Sequence, residues 1–588
     1  MPAMTPAAPL PASLAAIAAD YWEAYLAASP MMATAIGDHR YDHLLPEPTP
    51  EADAANRARL TVLADRVAAL DEAAEAETRT GAGAWDAQAR ITRSALAESI
   101  TGDIAAIDAE LTDWHLDPLD GVPTALVDLP AYTRLETAAD AEAMVARWRA
   151  MGPFADAYGR SLLGGLREGR VAPRATLDRG LALMDRLLAT PDADWPLLAP
   201  IEDARAHVDA GTWSAAEHER FARDLSAAVA TDIRPAFERL RATLADELLP
   251  KARDNDHPGM GHVEGGQDGY RRLVRVHTSL ALAPQDLHDL GLAEIERIDR
   301  EILDLSGRVF GARSLADALH GLRTNPALYF STREEIEAAA RAGLARAYEA
   351  IPAFFGRLPL APCEVVRIGT HEEDDQTIAY YRQPAPDGSR PGQYYVNTGH
   401  PETRPRYEFE ALTYHESVPG HHLQIAIGQE VPLAAEFRKH LGPTAFFEGW
   451  GLYTERLADE MGLYASDLDR IGVASYDAWR ASRLVVDTGM HALGWTRQEA
   501  IDFMTAHTAL APNNIVNEVD RYIGMPGQAL AYKTGQLEML RLRSSARERL
   551  GSRFDIRAFH DTLLGNGALA LATLREVVDG WVAERLPG

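Results

Sequence analysis

With one cysteine, Cys363, in 588 residues, no intrachain disulfide can form, which fits a reducing compartment. Positive charge is scarce as well. Lys and Arg number 58 against 87 Asp and Glu, a formal net charge of −29. Such an excess opposes binding to phosphate backbones or anionic lipid, so neither nucleic acid nor a membrane is an expected partner. Long apolar runs are also missing. No stretch approaches the ~18 residues of a membrane span, although 46% of the residues are hydrophobic. The N-terminal segment has no Lys or Arg before a weak apolar stretch that Asp20 interrupts, so a secretory signal is not expected. The expectation is a large cytoplasmic protein with room for a sizeable core.

Helical patterning dominates what is present. Stretches rich in Ala, Leu, Arg and Glu, with apolar residues at helical spacing, run over Asn56–Glu75, Ala138–Leu163, Ala215–Leu249, Leu287–Leu305 and Glu334–Phe354. Pro and Gly punctuate them, and no repeat of solenoid period occurs. One region reads as β: Val365–Ile368, Ile378–Arg382 and Tyr394–Asn397, the last two joined across Pro384–Pro391 with its Asp387-Gly388 turn signal. Such a hairpin either packs against helices or pairs with an extended substrate, and Asn397 is then a hydrogen-bonding candidate. The glycine-rich stretch Asp254–Gly266 reads as a mobile loop.

The run Tyr414-His415-Glu416-Ser417-Val418-Pro419-Gly420-His421-His422 carries chemistry. Hydrolysis at a zinc ion needs imidazoles and a carboxylate to hold the metal, and a free carboxylate to accept a proton from water. In H-E-x-x-H the two histidines sit one helical turn apart and reach one ion. Here Pro419 stands where the second histidine would fall. On an unbroken helix His421 would be rotated by roughly 600° from His415, and His422 would lie ~10.5 Å along the axis. Pro419 and Gly420 break that regularity. A widened or kinked turn can absorb the two extra residues and return His421 to His415. His421 is therefore the expected second ligand, with His422 the fallback and otherwise a substrate contact. Downstream, Glu448 in an apolar setting of Phe446, Phe447, Trp450 and Leu452 is the candidate third ligand. Glu455, two turns on, can hold a ligand histidine from behind.

The run YHESVPGHHLQ, the later FFEGWGLYTERLADEMGLY and the segment RYIGMPGQALAYKTG resemble the bacterial domain-of-unknown-function family 885. The segments DYWEAYLAASP, GDHRYD and YYVNTGHPETRPRYEFEALTYHE fit the same pattern, so the resemblance covers nearly the whole chain. Members are often described as lipoproteins, yet no cysteine lies near this start. The family is similar in turn to helical gluzincin peptidases of the thimet oligopeptidase, angiotensin-converting and carboxypeptidase Taq types. That likeness implies a mostly α, two-lobed fold around a deep cleft, with a small sheet beside the active-site helix. It implies one domain over 1–588, with an N-terminal lobe to about 280 and a metal-bearing lobe beyond. It also selects His415, His421 and Glu448 as ligands of one zinc ion and Glu416 as the base.

Such peptidases place a Tyr or His donor at the oxyanion, for which Tyr522 and Tyr532 are candidates. Arg521 can pair with a substrate carboxylate. The expected function is a zinc-dependent metallopeptidase cleaving short peptides, in which Glu416 passes a proton from water to the leaving amine. A zinc amidase or esterase acting on a small molecule, and a non-catalytic helical binding protein, are the alternatives.

Overall fold

The computed structural model describes residues 9–80, 85–117, 121–370, 373, 377–385, 388 and 390–586, and the side chains of all of these but 71–80. Asp387 of the expected turn and residues 1–8 of the N-terminal stretch lie outside them. The described residues form a mostly helical protein with one small three-stranded sheet. None of their helices is long and apolar enough to cross a membrane.

Helices Pro50–Thr80, Ala138–Arg167, Pro284–Phe310 and Arg333–Ala350 stand where the apolar spacing put them. The Ala215–Leu249 stretch is helical but irregular, with turns Val229–Ile233 and Thr243–Leu248 widened to i→i+5 bonding. Each precedes a proline, Pro235 or Pro250, whose missing N–H and bulky ring displace the ordinary i→i−4 bond.

The helices that position the site are α1 (Pro284–Phe310), α2 (Arg333–Ala350), α3 (Arg406–Glu416), α4 (His421–Glu430), α5 (Thr444–Glu460), α6 (Asp467–Ala492), α7 (Pro512–Gly524) and α8 (Ala531–Leu550). α6 is the central one. A reciprocal capping box of Ser466 and Asp469 closes its start. From Ile471 to His491 every residue but Trp479 is buried, as befits a helix covered on all sides. α5 and α8 cross at Gly449 and Gly535, where a Cβ on Gly449 would lie 2.5 Å from Gly535 Cα.

Strands β1 (Cys363–Arg367), β2 (Ala379–Arg382) and β3 (Gly392–Val396) are ordered β1-β3-β2. β2 and β3 are antiparallel, with Tyr380 opposite Tyr395 and their rings stacked at 4.6 Å. β1 joins β3 in parallel. β3 is thus paired on both edges and has none free for an extended substrate. Its Tyr394 is buried and shares a hydrogen bond with Thr413 of α3 at 3.2 Å. The sheet therefore backs the helix that leads into the histidine run.

One apolar core joins the first helices to the sheet and the C-terminal helices, through Leu14, Leu96, Tyr394, Trp450 and Leu574. A second fills the region of residues 116–252 around Trp148, Trp195 and Phe237. One group of charges buried between helices is fully paired. Asp477 of α6 accepts from Lys533 and Arg456 at 2.6 Å and from Arg297 at 2.9 Å. Burial alone would raise its carboxyl, but these cations hold it far below the usual range. The middle of the Asp254–Gly266 stretch is packed: Pro258–Met260 are buried, whereas Asp254–His257 are exposed. A Cβ on Gly259 would lie 1.7 Å from Met490 O, and Met260 N–H donates to His491 Nδ1 at 3.0 Å.

Asp487 of α6 is buried and accepts from the Tyr270 hydroxyl at 2.5 Å and from Gly527 N–H at 3.2 Å. Burial pushes its carboxyl up to about 7, above the unfolded value of ~3.9. The folded state then holds the extra proton between these values. The associated stability is complete below about pH 4 and is lost as pH rises towards about 7. Asp487→Asn keeps both hydrogen bonds and removes the titration. Relative to wild type, the variant should gain up to roughly 4 kcal/mol between about pH 4 and about pH 8, read from denaturant unfolding at each pH. A stability difference that ignores pH would contradict the elevated carboxyl.

Candidate metal centre

Helix α3 ends at Glu416 and α4 begins at His421. Between them Ser417 (φ −102°, ψ −116°) and Gly420 (φ −77°, ψ −130°) leave helical backbone, and the Val418–Pro419 peptide is cis. The two extra residues are thus absorbed by ending one helix and starting another, not by widening a turn. Ser417 N–H still donates to Thr413 O at 2.9 Å and His422 N–H to Ser417 O at 3.1 Å. Pro419 leaves no N–H stranded, and its carbonyl accepts from Trp450 Nε1 at 3.0 Å. At Gly420 a Cβ would lie 1.9 Å from His415 O, so no side chain fits. The break turns the His421 ring to face that of His415, with centroids 4.7 Å apart and planes at 90°.

Helix α5 supplies the remaining groups from one face, because Glu448, Gly451 and Glu455 follow at i, i+3 and i+7. Glu448 Oε2 lies 3.6 Å from Nε2 of both His415 and His421. Gly451 makes room for the His415 ring, since a Cβ there would fall 2.6 Å from Cε1. Glu455 Oε1 accepts from His415 Nδ1–H at 2.8 Å. A carboxylate can only accept, so that bond keeps a proton on Nδ1 and turns Nε2 towards Glu448, the nitrogen that a metal would take up in place of its proton. His421 Nδ1 is buried without a hydrogen-bond partner among the described residues.

These spacings suit a metal better than hydrogen bonds. A separation of 3.6 Å is long for N–H···O. Ligand atoms ~2.0–2.1 Å from a tetrahedral zinc stand roughly 3.4 Å apart. The three ligand atoms all lie within 4.8 Å of one another, the one such group of three among the described residues. Without an ion, the charges restrain each other. Burial works to lower the His415 pKa, but Glu448 and Glu455 reverse that and hold it up at about 9. Burial works to raise the Glu448 carboxyl, and His415 and His421 hold it far below its usual range. Glu416 carries no hydrogen bond among the described residues. Burial, against the pull of His415 and His421, raises its carboxyl pKa, the direction a proton acceptor needs.

The structure gives other candidates different places. His422 is buried against the sheet, not beside the ligand group. Its Nε2–H donates to Ala361 O at 3.0 Å and its Nδ1 accepts from the Tyr381 hydroxyl at 2.9 Å. Burial lowers its pKa to about 4, and both nitrogens are engaged away from the ligand group. Asn397 is buried, and its Nδ2 donates to Glu373 O at 2.8 Å and its Oδ1 accepts from Gly399 N–H at 3.0 Å. That is a loop fastener. The Tyr522 hydroxyl donates to Glu518 and accepts from Trp479 Nε1 and Arg483 Nε, so it has no hydrogen left for an oxyanion. Arg521 is held by Glu518 and Gln528 at 3.0 and 3.1 Å. Tyr532 is only partly buried and remains a donor. Burial and the Glu448 charge raise its hydroxyl pKa, which keeps it protonated close to the ligand group. Sequence alone names Trp450 only as part of the apolar setting of Glu448, and assigns no role to Gly451, Arg480 or Arg483. The two arginines were marked only by standing at i, i+3 in the mostly apolar and small-residue run of α6 between Asp477 and Asp487.

The fold and this site define the chain as a large helical protein with a His-His-Glu group at a helix break. A family model described as "Bacterial protein of unknown function (DUF885)" matches residues 30–578, and the chain belongs to that family. No curated protein matches it. Among solved structures it is similar to a "putative lipoprotein" from Colwellia psychrerythraea, with 24% identity, a TM-score of 0.86, and 97% of this chain and 99% of that one covered. It is also similar to a "putative lipoprotein of unknown function" from Shewanella oneidensis, with 16% identity, a TM-score of 0.74, and 96% and 100% covered. These likenesses establish the fold.

Gly451 tests the seat of the His415 ring. By helix propensity alone, Gly451→Ala would stabilise α5 by about 1 kcal/mol. With the ring in the way it should instead destabilise by roughly 1–3 kcal/mol in denaturant unfolding. An Ala variant more stable than wild type would mean the ring is not held against this helix.

Proposed function

We propose that the protein is a zinc-dependent hydrolase of the metallopeptidase kind, with His415, His421 and Glu448 as the ligands of one ion. One observation carries the reading: two imidazole Nε2 atoms converge on a single carboxylate oxygen at 3.6 Å, with Glu416 beside them. Bound there, zinc would polarise a carbonyl and make water acidic enough to react near neutral pH. Glu416 would take the proton of the attacking water. As the carbonyl carbon gains that oxygen and its C–N bond breaks, the same proton passes to the leaving nitrogen. The Tyr532 hydroxyl would donate to the oxygen that gains charge. Glu455 would hold His415 in its metal-binding tautomer throughout.

The substrate class in this reading is a short peptide or small amide. The cleft would lie between the residue 116–252 core and the C-terminal helices, which touch at Arg179 and Asp520 of α7, 2.8 Å apart. The likeness to helical gluzincin peptidases belongs to the same proposal, since both use two His, one Glu and a free Glu.

Metal analysis of protein purified without chelator should find about one zinc per chain. His415→Ala and Glu448→Ala should lose it, whereas His422→Ala should retain it. Loss of zinc in His422→Ala alone would reverse the assignment. Glu416→Gln should keep its zinc while turnover of a peptide library falls by ~10² or more. Undiminished turnover in that variant would remove Glu416 from the mechanism.

A further inference from the structure

Two arginines on α6 are buried with part of their hydrogen-bonding capacity open. Arg480 is 5% exposed, and its Nε and Nη1 have no hydrogen-bond partner among the described residues. Its nearest carboxylate oxygen, Glu455 Oε1, is 4.0 Å from Nη2, beyond hydrogen-bonding distance. The guanidinium instead lies over the rings of Trp479 and Tyr476, at 4.1 and 4.4 Å. Arg483, 3% exposed, donates from Nε to the Tyr522 hydroxyl at 2.8 Å and from Nη2 to Glu518 at 3.1 Å. Its Nη1 is buried without a hydrogen-bond partner among the described residues, and its guanidinium lies over the Tyr532 ring at 4.2 Å. Elsewhere on this helix bundle a half-buried cation is satisfied. Arg456 gives one Nη to Glu301 at 2.6 Å and the other to Glu301 and Asp477 at 3.0 and 2.6 Å.

Buried donors without acceptors are costly, more so when charged. Arg147 in the second core has a similar deficit. Position sets Arg480 and Arg483 apart. Arg480 Nη2 stands 4.0 Å from Glu455 Oε1, the oxygen that accepts from His415 Nδ1–H. Arg483 lies over the ring of Tyr532 at 4.2 Å. Arg480 and Arg483 stand at i, i+3 and share a helix face. Charge bookkeeping agrees: Arg483 and Arg521 share one carboxylate, Glu518, and leave one positive charge over.

Building on the hydrolase reading, we propose that the open edges of Arg480 and Arg483 form an anion subsite that receives the carboxylate of the substrate. Stacking on Trp479, Tyr476 and Tyr532 fixes the guanidinium planes in advance, the condition under which Arg recognises a carboxylate through two N–H groups. A subsite next to Glu416 selects a carboxylate close to the scissile amide. The substrates are then peptides cut near a free C-terminus, or N-acyl amino acids, and not internal peptide bonds.

The test pairs an N-acetyl tripeptide bearing a free C-terminal carboxylate with the same tripeptide as its C-terminal amide. Binding is read by calorimetry on zinc-loaded Glu416→Gln protein, and cleavage on zinc-loaded wild type. The acid should bind tighter than the amide by on the order of 10², and its kcat/KM should exceed that of the amide by a similar factor, mainly through KM. Adding Arg480→Gln or Arg483→Gln should erase the preference while zinc content and binding of the amide stay as they were. Equal binding of acid and amide would overturn the subsite, as would an Arg variant that folds, holds zinc and still prefers the acid. If an Arg variant fails to fold, the acid-to-amide ratio of the unmodified arginine pair decides alone. Failure of the two readings is distinguishable. Cleavage of both peptides at equal rates leaves the hydrolase and removes the subsite. Arg-dependent preference for the acid with cleavage of neither peptide leaves the subsite and removes the hydrolase.

Discussion

The site depends on one face of helix α5 meeting a break in another helix. Glu455 takes the Nδ1 proton of His415, Gly451 leaves the space its ring fills, and Glu448 faces its Nε2. Trp450, on the same helix, holds the carbonyl of Pro419 and so fixes the break itself. Glu448, Glu455 and the break are positioned by a single rigid element. A small error in one is therefore not compensated by freedom in another.

Around this face the protein separates two ways of burying charge. Asp477 gathers Lys533, Arg456 and Arg297 from three other helices, and the pairing overturns the cost of burial on its carboxyl. That network fastens α1, α5 and α8 to α6. Closer to the histidines the pairing is incomplete: Glu416 has no hydrogen bond among the described residues, and Arg480 and Arg483 keep open nitrogens. Fully paired charge suits a frame, whereas open charge suits a place where another molecule supplies the missing partner.

Much of the frame was legible because helices and strands are written in local spacing. The period-3.6 stretches became helices, and the three short β runs became strands. What local spacing misjudged was set by partners distant in sequence. Asp254–Gly266 has the composition of a loose loop, but Gly259 and Met260 are pressed onto the end of α6, more than two hundred residues away. Asn397 and His422 have the chemistry of site residues, yet backbone groups and the Tyr381 hydroxyl use their polar atoms. Tyr522 looked like a free donor until Glu518, Trp479 and Arg483 closed around its hydroxyl.

The sequence by itself determined that His415, Glu416, His421 and Glu448 are available, and that Pro419-Gly420 must interrupt the helix between the histidines. Proline has no N–H to give the ladder and clashes with the turn before it, whatever the tertiary context. Only the tertiary structure decided which histidine joins His415. His421 and His422 are adjacent and chemically identical. The angle at which α4 leaves the break points one at Glu448 and the other at Ala361 and Tyr381. That angle comes from packing against α5 and the sheet, contacts whose energy is spread over residues far apart in the chain and leaves no local pattern.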